Sequence, residues 1–268
     1  NSCIVQDGFL VDVQFPSNWW ASFQELEYIR AFLFGRMAWG HINSLLLVSG
    51  GLGMFDREIV IKVGGYWHKS LGEDMDLISR MRKHMHKIKE DFIILYVPET
   101  LCWTEVPSTK EVFMRQRVRW GRGLIQTLAI HKEMFLNPKF GKTAFIAMPY
   151  FFFFEFMVPI LEVFGLITII GSLIFLDLYL IGVLKLMGVI YLFYLIITIV
   201  SVLLDEWFNK YYRSRKDLLK LILKGVIEPF VYHPFCVYAA LKGYWHYFLN
   251  KEQKWGNMQR TGFLTKKK

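Results

Sequence analysis

Apolar positions change rhythm several times along the 268 residues, and each change predicts a different element. From Asn1 to about Trp20, Ile4, Val5, Phe9, Leu10, Val11 and Val13 are broken by Asp7-Gly8 and Pro16, which predicts short strands and turns. Between Trp19 and Trp39 the spacing becomes helical: Phe23, Leu26, Tyr28, Ile29, Phe32 and Leu33 share one wide face. Gln24, Glu27 and Arg36 lie off most of it and read as solvated. Ser44 to Val48 reads as a buried strand running into Ser49-Gly50-Gly51. Asp56 is placed to cap a short helix that Gly64-Gly65 stops. Met75, Ile78, Met81, Arg82 and Met85 predict a helix from about Asp74 to Lys87. Phe92 to Val97 reads as a compact strand ended by Pro98, and Thr109 is placed to cap a helix carrying Arg115 to Arg122.

Between Thr143 and Leu204 charges nearly vanish. Pro149, Glu155, Pro159 and Glu162 interrupt the first apolar run, so an interfacial helix is expected to about Phe156, then spans over about 158–178 and 183–204. Glu155 and Glu162 are expected to face protein or water rather than lipid. The segment 218–249, with Lys224, Glu228, Pro229, His233 and Pro234, reads as interfacial or re-entrant, with a pair of short spans as the alternative. The fold expectation is an α/β segment over 1–140, an α-helical membrane region over 141–249 and a basic tail over 250–268.

Composition sharpens this division. The chain is 54% hydrophobic and 17% aromatic, with the excess between Thr143 and Leu204. The net charge of +9 comes largely from residues beside the apolar block, which favours a lipid surface as partner over nucleic acid. Lys210, Arg213, Arg215, Lys216 and Lys220, with the tail from Lys242, orient these segments to the cytosol of a multi-pass plasma (inner) membrane protein. Cys3, Cys102 and Cys236 share no metal-type spacing and read as reduced packing residues. His84 and His86 are two apart, so they leave a helix on different sides and do not pair on a metal.

Chemistry concentrates between Leu71 and Trp120. Glu73 and Asp74 follow Gly72 at a helix start, where carboxylates also serve as ordinary capping residues. Gln116, Arg119 and Trp120 stand at i, i+3 and i+4, on one helix face, with Arg115, Arg117 and Arg122 expected to surround them with positive charge. An aspartate there can take a proton from a hydroxyl, a guanidinium can clamp a departing diphosphate, and an indole offers a flat face to a pyranose. The basic helix reads equally as a membrane-surface helix with Trp120 at the interface, and the two roles are compatible.

Gly72-Glu73-Asp74, Thr104-Glu105-Val106-Pro107 and Gln116-x-x-Arg119-Trp120 together resemble the processive family-2 glycosyltransferases, the group containing cellulose, hyaluronan, chitin and poly-N-acetylglucosamine synthases. Ser49 and Gly50 resemble the acceptor-side loop of that family. The resemblance implies a GT-A domain with Asp74 as catalytic base beside Glu73, and Gln116, Arg119 and Trp120 binding the donor diphosphate and the acceptor end. It implies inverting transfer from a nucleotide-sugar donor to a saccharide acceptor, and a divalent Mg or Mn ion. The family's nucleotide-binding aspartate and D-x-D have no counterpart here: Asp7 and Asp12 lack the spacing, and Asp74-x-Asp76 belongs to the later motif. The chain therefore reads as the acceptor half, with the donor half lost or supplied by a separate chain, and with oligomerisation as one way to complete a channel. Trp255, Arg260 and Phe263 read either as a returning gate or as part of a disordered tail. The competing expectation is a non-catalytic membrane module that scaffolds a complete transferase.

Overall fold

The computed structural model describes residues 5–6, 9–10, 19–48, 53–97, 106–107, 109–174, 180–209 and 215–251. Strands β1 (Val5–Gln6) and β2 (Phe9–Leu10) pair antiparallel, Val5 opposite Leu10, and form the only sheet among the described residues. Everything else that is regular is helical. The expected helix over 19–39 runs as α1 (Trp19–Tyr28), a π-helical stretch (Ile29–Arg36) and α2 (Met37–His41).

α3 (Arg57–Lys62) starts where Asp56 accepts from the backbone N–H groups of Glu58 and Ile59, the cap expected of it. α4 (Glu73–Ile88) follows Gly72 and ends at Lys89, which has a left-handed φ of 59°. α5 (Lys110–Ile130) is capped by Thr109, whose hydroxyl accepts from Val112 N–H. The next helix is continuous from Thr143 to Ile174, with α6 (Met148–Tyr150) between two π-helical stretches, then α7 (Met157–Ile174). α8 (Leu180–Asn209), α9 (Arg215–Val231) and α10 (His233–Phe248) complete the chain.

The α/β GT-A expectation is overturned. The segments 44–48 and 92–97 carry no regular secondary structure, and among the described residues no ladder pairs them. Side chains from elsewhere answer some of their backbone groups: Leu45 O, Phe92 O and Ile94 N–H. Arg82, 1% exposed, donates to Leu45 O through Nε and Nη2, and to Asn43 O through Nη1. Asn43 donates to Phe92 O and accepts from Ile94 N–H. β-branched and apolar runs predict an extended chain, but a sheet requires a neighbour whose N–H and C=O groups answer theirs.

The core lies where α4, α5 and the start of the long apolar helix meet: Leu46, Met75, Ile78, Leu128, Met134, Ala147, Met148 and Phe151. A second cluster, Phe23, Phe113 and Tyr232, joins α1 and α5 to the Tyr232 break between α9 and α10. A third, Leu26, Val202 and Leu221, joins α1, α8 and α9. α10 lies along α5 so closely that a Cβ on Gly243 would fall 2.5 Å from Val118 O.

Thr143–Ile174 and Ile181–Phe208 are long and apolar enough to cross a membrane. Glu155 accepts from Tyr150 Oη at 3.0 Å, and Glu162 lies 2.9 Å from His233 Nε2, so both carboxylates meet protein. On α9 the residues Leu219, Leu223, Val226, Ile227 and Phe230 form an exposed apolar stripe at helical spacing.

Candidate active site

α5 presents different chemistry on each of its faces. One face meets the start of α4 by a backbone approach that only glycine permits: a Cβ on Gly123 would lie 2.8 Å from Gly72 N and 2.9 Å from Leu71 C. One turn later Gln126 clamps the same loop, accepting from Leu71 N–H and donating to Lys69 O, each at 3.0 Å. One turn earlier stands Arg119. Its Nη1 lies 3.8 Å from Glu73 Oε1, so the acidic helix start and the basic helix face each other across this contact.

Burial pushes the Glu73 carboxyl above its ordinary range; its own backbone N–H and Arg119 oppose the shift, and Asp74 adds to it. Asp74 Oδ1 accepts from Met75 N–H at 2.8 Å. Tyr66, half exposed, has its phenol raised first by burial and then by Asp74 and Glu73. Burial brings the Arg36 guanidinium down to about 10, against the pull of Tyr96, Asp74 and Tyr28. Tyr96 and Leu95 line an open groove of about 450 Å³ with Met37, Ala38, Gly40 and His41 of α2.

Gln116 is half buried, with an enclosed Oε1 that has no hydrogen-bond partner among the described residues. Trp120 is 39% exposed, with the Arg117 guanidinium over its ring, 4.2 Å from the centroid. The structure thus brings Glu73 of α4 to Arg119 of α5, and Trp120 follows Arg119 on α5 with its ring against Arg117. Ser49, Gly50, Thr104 and Glu105 lie outside the described residues, as do Lys210, Arg213, Trp255, Arg260 and Phe263.

Several polar residues serve differently from the sequence expectation. Of the arginines expected to surround the site with positive charge, Arg115 is exposed, but Arg117 and Arg122 are buried. Arg122 donates to Lys251 O at 2.6 Å. Gln24 is fully buried and donates to Pro107 O at 2.8 Å, and Glu27 is paired with Arg117, so neither is a solvated helix residue. Amphipathic reading assigns polar residues to water, yet here α5 and the segment before it arrive on that side and supply partners.

Residues the sequence did not single out hold the site in place. Asp76, 1% exposed, receives His131 Nε2 at 2.8 Å and Arg80 Nε at 2.9 Å. Arg80 also donates to Val63 O and to Gly65 O, the residue before Tyr66. Burial would raise the Asp76 carboxyl, but His131 and Arg80 outweigh it and hold the group below the usual carboxylate range. The i, i+4 spacing of Asp76 and Arg80 was a readable signal; the His131 contact spans 55 residues and was not.

The described residues around this site do not fit a divalent metal. Asp76 is consumed by His131 and Arg80, Glu73 faces Arg119, and among the described residues no three His, Cys, Asp or Glu side chains come together.

The pattern describing glycosyl transferase family group 2 matches residues 5–204. A probable glycosyltransferase YdaM of Bacillus subtilis (strain 168) is 27% identical over 230 residues, which are 84% of this chain and 51% of that relative. A poly-beta-1,6-N-acetyl-D-glucosamine synthase of Staphylococcus aureus (strain COL) is 28% identical over 134 residues, 49% of this chain and 28% of that relative. The chain thus spans about half the length, or less, of these curated relatives. No solved structure matches it.

Proposed function

Because the chain belongs to glycosyl transferase family group 2, we propose that it carries the acceptor side of an inverting, membrane-bound sugar transfer from a nucleotide-sugar donor to a growing polysaccharide. Asp74 takes the proton from the acceptor hydroxyl as that oxygen attacks the anomeric carbon, and the nucleoside diphosphate departs. Arg119 holds the departing diphosphate through its planar fork. Trp120 seats the acceptor sugar, and Gln116 offers an amide beside it. Glu73 keeps Arg119 aimed across the α4 start.

The observation that carries this reading is the contact of Glu73 with Arg119 at 3.8 Å, because it joins two motifs 46 positions apart into one site. A second support is the conformation-locking by Gly123 and Gln126, which act only on the loop leading into Glu73 and Asp74. The name of the Staphylococcus relative makes an N-acetylglucosamine oligomer the first acceptor to try. The donor nucleotide and the divalent cation of the complete enzyme are held, on this reading, by residues outside the described ones.

Thr143–Ile174 and Ile181–Phe208 are the proposed spans, with the transfer site on the cytosolic side. The exposed stripe of α9 lies in the lipid interface, with Lys216 and Lys220 at the level of the headgroups. The test, in the complete enzyme, is Asp74→Asn: transfer is abolished while nucleotide-sugar binding persists. Full turnover by that variant removes Asp74 from the base role. A non-catalytic scaffold predicts instead that Asp74→Asn changes nothing in the assembled enzyme.

A further inference from the structure

Arg117 stands between the two arms of the Gln116, Arg119 and Trp120 constellation, yet it faces away from solvent, with its side chain 8% exposed. Its guanidinium meets the Glu27 carboxylate of α1 with two parallel hydrogen bonds, Nη1 to Oε1 and Nη2 to Oε2, the latter at 2.7 Å. Nη2 also donates to Tyr232 Oη at 3.1 Å, and that hydroxyl donates to Glu27 Oε2. The triangle is closed: every participant holds the other two. Arg117 Nε has no hydrogen-bond partner among the described residues, and the plane of the group is given instead to rings. Its Cζ lies 5.0 Å from the centroid of Phe113 and 4.2 Å from that of Trp120.

We infer that Arg117, locked by Glu27 and Tyr232, is a positioning residue that fixes the ring plane of Trp120 and leaves one indole face open to a pyranose. The physical basis is the fork. Two bonds to one carboxylate determine the orientation of a planar guanidinium, and a guanidinium over an indole is attracted by the ring's negative face. An indole free to turn about its side-chain bonds loses entropy on binding a sugar; one already stacked does not. The clamp also ties the site to the membrane side. Three residues beyond Glu27, Arg30 pairs with Glu228 of α9 at 2.7 Å and donates to Tyr194 and Thr198 of α8 at 2.9 and 3.0 Å.

The inference rests on the reading of Trp120 as acceptor platform, and the test separates the two. The full chain, reconstituted in lipid nanodiscs with fluorotryptophan at its nine tryptophans, gives a Trp120 resonance assigned by its loss in Trp120→Ala. Arg117→Lys keeps the charge and removes the planar fork. It is expected to shift or broaden the Trp120 resonance and to weaken N-acetylglucosamine oligomer binding about tenfold, with inorganic diphosphate binding, the readout of Arg119, unchanged. An unmoved Trp120 resonance with unchanged oligomer affinity overturns the clamp. Should Arg117→Lys fail to fold, Tyr232→Phe removes a single hydroxyl from the triangle; the same changes in smaller measure support the clamp, and an unmoved resonance there overturns it. Normal oligomer binding by Trp120→Ala overturns the platform reading instead, whatever the resonance of the clamp variants does.

Discussion

Arg117 and Arg119 are two residues apart on one helix and live in different solvents. Arg117 sits in a three-helix junction, with two bonds to Glu27 and one to Tyr232. Arg119 reaches Glu73 only at 3.8 Å, with about a fifth of its side chain exposed. The first pair is built for rigidity, because a charge removed from water must be fully answered. The second lies beyond hydrogen-bond range, and on the function proposed above this guanidinium exchanges the carboxylate for a diphosphate. The difference comes from helix geometry: residues two apart point some 200° from one another, so one faces α1 and Tyr232 while the other faces the start of α4.

Breaking the pairs one at a time is the sharpest way to test that contrast. Arg117→Ala leaves the part-buried Glu27 without its cation and is expected to cost about 3 kcal/mol, read as a large drop in the thermal unfolding midpoint. Gly123→Ala follows: the added methyl meets Gly72 N and is expected to cost about 1–3 kcal/mol while pushing the acidic turn from Arg119, so transfer falls further than stability does. Arg119→Ala should cost less than about 1 kcal/mol, since its ion pair is loose and partly solvated, yet abolish productive diphosphate departure. Equal losses of stability for Arg117→Ala and Arg119→Ala would erase the distinction.

A smaller effect belongs to Asp76. Its carboxyl is held below the ordinary value in the folded chain, so its contribution is fully present above the unfolded value of about 3.9. It is lost as pH falls through the lower folded value. Acid unfolding followed by circular dichroism should therefore be flatter below about pH 4 in Asp76→Asn, with little change in slope near neutrality.

Much of the local structure was legible. The caps at Asp56 and Thr109, the helices they start and the helical spacing of Gln116, Arg119 and Trp120 all follow from short-range rules. So does the presence of two long apolar helices, although the first runs unbroken from Thr143 to Ile174 where a division near Phe156 was expected. The short strands near the start of the chain follow too, but the two longer expected ones do not. Ser44 to Val48 and Phe92 to Val97 carry strand-like composition, but sheet formation depends on a partner that composition does not supply, and here Arg82 and Asn43 answer some of the backbone groups instead. Gln24 and Glu27 were misread for a related reason: an amphipathic pattern distinguishes apolar from polar positions, and says nothing of a second helix arriving on the polar side.

By itself, then, the order of residues determined which stretches coil, where they begin, which are apolar enough for lipid and which carry acid or base. These depend on neighbours within a few positions along the chain. Only the tertiary structure decided which acid meets which base: Glu73 with Arg119, Glu27 with Arg117, Asp76 with His131. Those pairings span 46, 90 and 55 positions. They exist because glycines let α4 approach α5, and because aromatic packing at Phe23, Phe113 and Tyr232 fixes α1 and α10 against its opposite side.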